Sequence, residues 1–126
     1  MTESLELIIW GRSFSLPVVF DCYEGEIVSK EQEKSLNRFV SHQEWIEKSQ
    51  QTVEEYCKDD VLDDDENTKK DNIFSYLKPE CIFVKHEEKR PRVAIMCKYR
   101  YDLEHGLAVV FYSDGKIIVG IQDIIL

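Results

Sequence analysis

An α+β fold, in which two helices pack on one face of a largely antiparallel sheet, is what this sequence predicts, and three observations carry the prediction. Apolar, β-branched runs stand at both ends of the chain, two before residue 21 and four after residue 79. Between them, from Ser29 to Lys58, apolar residues recur at helical spacing among Glu, Gln and Lys. Near the end, Asp114-Gly115 separates two apolar runs, the strongest short hairpin signal a sequence offers. Together these predict an N-terminal hairpin, a helical pair and a C-terminal four-stranded meander.

The first hairpin is read from Leu5 to Trp10, the break Gly11-Arg12-Ser13, and Phe14 to Phe20. Pro17 has no backbone N–H, which predicts an edge or a bulge. Gly25 breaks the strand pattern, and Ser29-Lys30-Glu31-Gln32 has the form of a capping box opening a helix with Leu36, Phe39 and Val40 on its apolar face. Ser41-His42-Gln43-Glu44 has the form of a second box, with Val40 and Trp45 placed as a hydrophobic staple. The second helix then shows Trp45, Ile46, Val53, Tyr56 and Cys57 to the core and Glu47, Lys48, Gln50, Gln51, Glu54 and Glu55 to water.

Residues 59–72 have linker character and predict an acidic mobile loop within a single domain spanning 1–126, with a helical turn from Ile73 to Leu77 before Pro79. The spacing Asp63-x-Asp65-x-Asn67 resembles the start of a calcium loop, but Phe74 stands where a bidentate glutamate is needed, so no metal and no cofactor are expected. Four strands follow: Glu80 to His86, Arg92 to Tyr101, Leu107 to Tyr112 and Lys116 to Ile121. Alternation in the second of these points Val93, Ile95, Cys97, Tyr99 and Tyr101 to the core, and leaves Arg92, Ala94, Met96, Lys98 and Arg100 on a partly wet face.

Composition narrows the function. The 126 residues carry 16 basic and 25 acidic side chains, a net charge of −9, and the acid is concentrated: eight acidic residues stand against Lys58 between Glu54 and Asn67. Such a chain repels phosphates, which argues against nucleic acid and for a protein partner, a basic one above all. No apolar run approaches the ~20 residues of a membrane span, and Met1-Thr2-Glu3-Ser4 lacks the basic region of a secretory signal, so a cytoplasmic protein is expected. Cys22, Cys57, Cys81 and Cys97 have neither CxxC nor zinc-like spacing and read as reduced, structural thiols. No phosphate loop, dinucleotide fingerprint, nucleophile elbow or HExxH occurs.

One dense polar stretch remains, Asp102-Leu103-Glu104-His105-Gly106-Leu107, between the second and third of the last four strands. Gly106 there supplies the positive φ a tight connection needs, and Asp114 and Gly115 make the next turn. Asp102, Glu104 and His105 are residue types of metal and acid–base sites, yet neighbours on a turn usually point apart, so bonding within the turn is the first expectation. A binding surface made of this turn, or of Asp63, Asp64, Asp65 and Glu66, comes next, and a small metal-dependent hydrolase built on the turn is the alternative. Lys89-Arg90-Pro91-Arg92 reads as a solvated turn that could pair with the acid stretch of a second copy in a homo-oligomer.

The motif Asp102-x-Glu104-His105-Gly106-Leu107, with the strand, Asp114-Gly115 and the strand after it, resembles the C-terminal signature of an uncharacterised family of small bacterial domains. Tyr23-Glu24-Gly25-Glu26 before a Glu- and Gln-rich helix is similar to that family's entry, while Tyr101 stands where the family often has Trp. The resemblance implies a small α+β domain and toxin immunity as a role; no activity comes with it. Trp10, Trp45, Tyr23 and Tyr112 are the aromatic residues available as anchors for a partner.

Overall fold

In the computed structural model the residues described are 4–21, 27–61, 77–87, 91–100 and 102–125. They form an α+β fold with a six-stranded sheet: β1 (Ser4–Ile9), β2 (Arg12–Phe20), α1 (Lys30–Ser41), α2 (Gln43–Val61), β3 (Leu77–Val84), β4 (Val93–Tyr99), β5 (Leu107–Phe111), β6 (Ile117–Gly120) and a terminal 3₁₀ turn, Gln122–Ile124. The strands lie in sequence order, and every pair is antiparallel except β2 with β3, which run parallel because the helical pair connects them. The expected hairpin and meander are therefore two parts of one sheet.

Alternation decides which side chains face the helices. Leu7, Ile9, Leu16, Val18, Ile82, Val84, Val93, Ile95, Cys97, Tyr99, Leu107, Val109 and Phe111 are buried there against Leu36 and Phe39 of α1 and Ile46, Val53 and Cys57 of α2. The rings of Phe39 and Phe111 meet at 5.0 Å, tilted by 53°.

The opposite face departs from the expectation. Ala94 and Met96 are not wet: with Ala108, Val110 and Ile125 they form a second buried cluster, because the 3₁₀ turn brings Ile125 onto that side of β4 and β5. Pro17 is not on an edge strand, since β2 lies between β1 and β3, but the ladder to β3 begins only at Val18, so the missing N–H interrupts nothing there. Pro79 does sit at a bulge, between Pro79 and Cys81.

Helix boundaries differ in two places. Ser29 caps α1 as expected, accepting the Gln32 amide N–H while the Gln32 side chain accepts the Ser29 N–H. The second box does not form: Ser41 ends α1 and donates its hydroxyl to the Asn37 carbonyl, so the junction is made by His42, whose ring bonds Glu44 and stacks on Trp45 at 4.3 Å. The second helix runs to Val61, three residues into the stretch read as loop, and Leu77 opens β3 rather than closing a helical turn; residues 62–76 lie outside the described residues.

Candidate functional site

The chain reverses between β4 and β5, and backbone bonds set the curve: the Asp102 N–H donates to the Tyr99 carbonyl at 3.1 Å and the Gly106 N–H to the Asp102 carbonyl at 2.8 Å. Asp102 then fills the turn with its own carboxylate. Its Oδ1 accepts the His105 backbone N–H at 3.1 Å and lies 3.0 Å from His105 Nδ1, with Oδ2 at 3.2 Å. A carboxylate only accepts, so Nδ1 carries the proton. This hydrogen bond, and then the charges of Asp102, Glu104 and Asp123, hold His105 above the ordinary imidazole range. Asp102 and His105, three positions apart, thus bond one another within the turn, while Leu103, Glu104 and His105 are exposed.

Gly106 has φ +64°, the left-handed conformation expected of it. The structure adds a second requirement, absent from local sequence. A Cβ at this position would lie 2.6 Å from Gln122 Nε2 and 3.0 Å from the Cys97 carbonyl oxygen. Gln122 passes over the glycine to donate its side-chain amide to Cys97 O at 3.1 Å, and its backbone N–H donates to His105 O at 3.2 Å. The motif therefore clamps the 3₁₀ turn, and with it Ile125, onto the sheet.

The Asp114-Gly115 connection is a three-residue loop between Tyr112 and Lys116 with glycine in the left-handed region, φ +92°. Asp114 Oδ1 accepts the Lys116 N–H at 3.0 Å, and Trp45 rests over Gly115, where a Cβ would be 3.1 Å from the indole nitrogen.

One polar constellation was not legible in the sequence. At the C-terminal ends of the parallel pair, the buried Gln32 donates its amide to Asp21 O at 2.8 Å and Val84 O at 3.3 Å. Asp21 Oδ2 in turn accepts the His86 N–H at 3.2 Å and lies 3.5 Å from Lys85 Nζ. The capping box singled out Gln32, but only the parallel pairing brings these strand ends to it.

Other candidates fare differently. Trp10 is no surface anchor: it occupies the β1–β2 turn at φ 51°, is buried, and donates its indole N–H to Ser49 Oγ at 2.9 Å. Tyr112 is half-buried, with the Arg92 guanidinium and Lys116 Nζ each 5.7 Å from its ring centre. Arg92 is bound by Glu87 rather than by solvent alone. Tyr23, Lys89, Arg90 and the acidic Asp63, Asp64, Asp65 and Glu66 lie outside the described residues. Burial pushes the Cys97 thiol well above its ordinary range and raises that of Cys81, the wrong direction for a nucleophilic thiolate. Among the described residues no three His, Cys, Asp or Glu side chains converge to hold a metal ion, and no helix is long and apolar enough to cross a membrane.

Compared with known proteins, the chain resembles no curated protein and no solved structure. Residues 2–126 match one family model, described as a domain of unknown function, DUF6985. That match covers essentially the whole chain, turn motif and clamp included, and the chain belongs to the DUF6985 family.

Proposed function

We propose that this chain is a non-enzymatic protein-interaction domain that engages a basic partner protein through its acidic surface, and that an immunity protein masking a toxin is the form this takes. The observation that carries the reading is the distribution of polar chemistry. Of Asp102, Glu104 and His105, the residues a hydrolase would use, Asp102 and His105 are bonded to each other in fixing the β4–β5 turn, and Glu104 stands exposed beside them. The acid, by contrast, stands on the surface: Glu44, Glu47, Glu54 and Glu55 are exposed on α2, which leads into Asp63, Asp64, Asp65 and Glu66 in the sequence. Clustered charge of one sign speeds encounter with an oppositely charged partner, while a few buried anchors supply most of the affinity.

The test is the association rate with a partner captured from cell extract, followed against salt for the wild type and for a variant with Asp63, Asp64, Asp65 and Glu66 changed to Ser. The variant associates more slowly at low salt and converges with the wild type as ions screen the field. Superimposable curves would remove the acidic surface from recognition. Metal analysis and thermal shift in divalent cations separate this reading from the metal-dependent hydrolase, since a cation bound to the native state alone raises its apparent stability.

A further inference from the structure

The sheet face turned away from the helices is ordered in rows by strand register. One row is apolar: Val19 stands beside Phe83, then Ala94, Val110 and Ile118. The next holds Cys81 and Met96. Ile125 covers the β4–β5 part of this band, but Val19 is 44% exposed and Phe83 and Cys81 are half-buried. Basic side chains border the band at both ends. At one end Arg92 and Lys116 flank the Tyr112 ring, with Lys85 beside them. At the other, Lys78 and Lys98 are direct cross-strand partners, both exposed, and Arg100 follows two residues on.

The Lys78–Lys98 pair is the telling one. Like charges directly opposite on neighbouring strands repel. Lys85 and Arg92 are matched by Asp21 and Glu87, yet among the described residues neither Lys78 nor Lys98 has an ion-pair partner. In a chain of net charge −9, this end of the face concentrates the opposite sign.

We propose that this face is a docking surface for an acidic segment of another protein, one whose apolar centre lies on Val19 and Phe83 and whose flanking carboxylates meet Lys78 and Lys98 at one end and Lys116 at the other. Lys116 borders the Tyr112 ring together with Arg92, and from Arg92 to Lys98 the strand advances about 20 Å at its usual rise per residue, so those carboxylates stand at least that far apart. A second copy seated on the same face would set lysine against lysine, and the apolar row from Val19 and Phe83 between the basic ends suits apolar side chains rather than a sugar–phosphate backbone, so charge complementarity selects an acidic polypeptide. This surface is distinct from the acidic one proposed above, and each stands or falls without the other.

The experiment uses the full chain and two peptides: one with an apolar centre between two pairs of glutamates, and the same residues scrambled. Amide NMR shifts on titration are expected at Val19, Phe83 and Lys98 with the first peptide and not with the scrambled one. The decisive variant is Lys78→Glu, which turns the repulsive pair into an attractive one. It should melt at or above the wild-type temperature and bind the peptide about tenfold more weakly, a loss that cannot then be unfolding. The proposal is overturned if shifts fall on α2, if Lys78→Glu binds as the wild type does, or if neither peptide binds. It is equally overturned if the same amides shift with protein concentration alone, which would assign the face to a second copy, or if an oligonucleotide binds there more tightly than the peptide.

Discussion

Two independent constraints meet at Gly106, its positive φ and the passage of Gln122 across the space a Cβ would fill. Gly106→Val violates both, and its cost should reach about 2–3 kcal/mol, the range for a strained backbone position with added steric conflict. His105→Ala removes an exposed ring with its bond to Asp102 and should lie well below that. Urea unfolding of the two variants checks the order, and equal midpoints would remove the glycine from its role. His105 itself offers a second prediction. Its bond to Asp102 raises its folded pKa, so the interaction contributes fully below the unfolded value near 6.5 and is lost as pH rises through the folded value. In Asp102→Asn the His105 titration, followed by NMR, should move down toward that of an ordinary imidazole; an unmoved midpoint would show that Asp102 does not set it. At this scale the sequence was informative about the turn, since Asp, His and Gly each signal local chemistry. It was silent on Gln122, which reaches the site from 16 residues beyond Gly106.

Among the elements, α1 is held to the sheet by more than its apolar face. Gln32 is fully buried, and its amide closes two carbonyls at the ends of β2 and β3 while its oxygen completes the cap. Gln32→Glu keeps the size and the capping oxygen but replaces the donor with an acceptor, leaving the Val84 and Asp21 carbonyls facing a carboxylate. A loss of about 2–4 kcal/mol is expected from the unsatisfied buried groups, with hydrogen exchange accelerated first in α1. If Gln32→Glu unfolds with the wild type, the amide is not the latch. The same residue shows how far element-level reading goes. Local patterns mark a strand, a helix start or a cap, because alternation and capping are properties of a few neighbouring residues. The parallel pairing of β2 with β3 and the burial of Ala94 and Met96 depend on distant segments arriving, and no local pattern encodes them. Trp10 makes the same point: a bulky residue at positive φ has no local signature, and it is tolerated where Ser49, 39 residues away, takes its indole N–H.

For the whole molecule the governing quantity is charge, which composition does reveal in total and topology distributes. The net −9 is carried largely by α2 and the acidic stretch after it, while the far sheet face carries the exposed Lys78–Lys98 pair. Clustered like charge opposes the compact state, and the unfolded chain, being larger, relieves part of that repulsion. Raising salt from a few millimolar to physiological strength shortens the screening length from tens of ångströms to about 8 Å, so it should raise the melting temperature of the wild type. Changing Asp63, Asp64, Asp65 and Glu66 to Ser removes four of the clustered charges, and this variant should melt higher than the wild type at low salt. Exposed charges interact weakly once screened, so the difference should shrink to within about 0.5 kcal/mol at physiological salt. Melting curves for both chains across a salt series decide it. If the variant instead melts lower at every salt, those carboxylates make specific stabilising contacts, and substituting them could no longer be read as a change in steering alone.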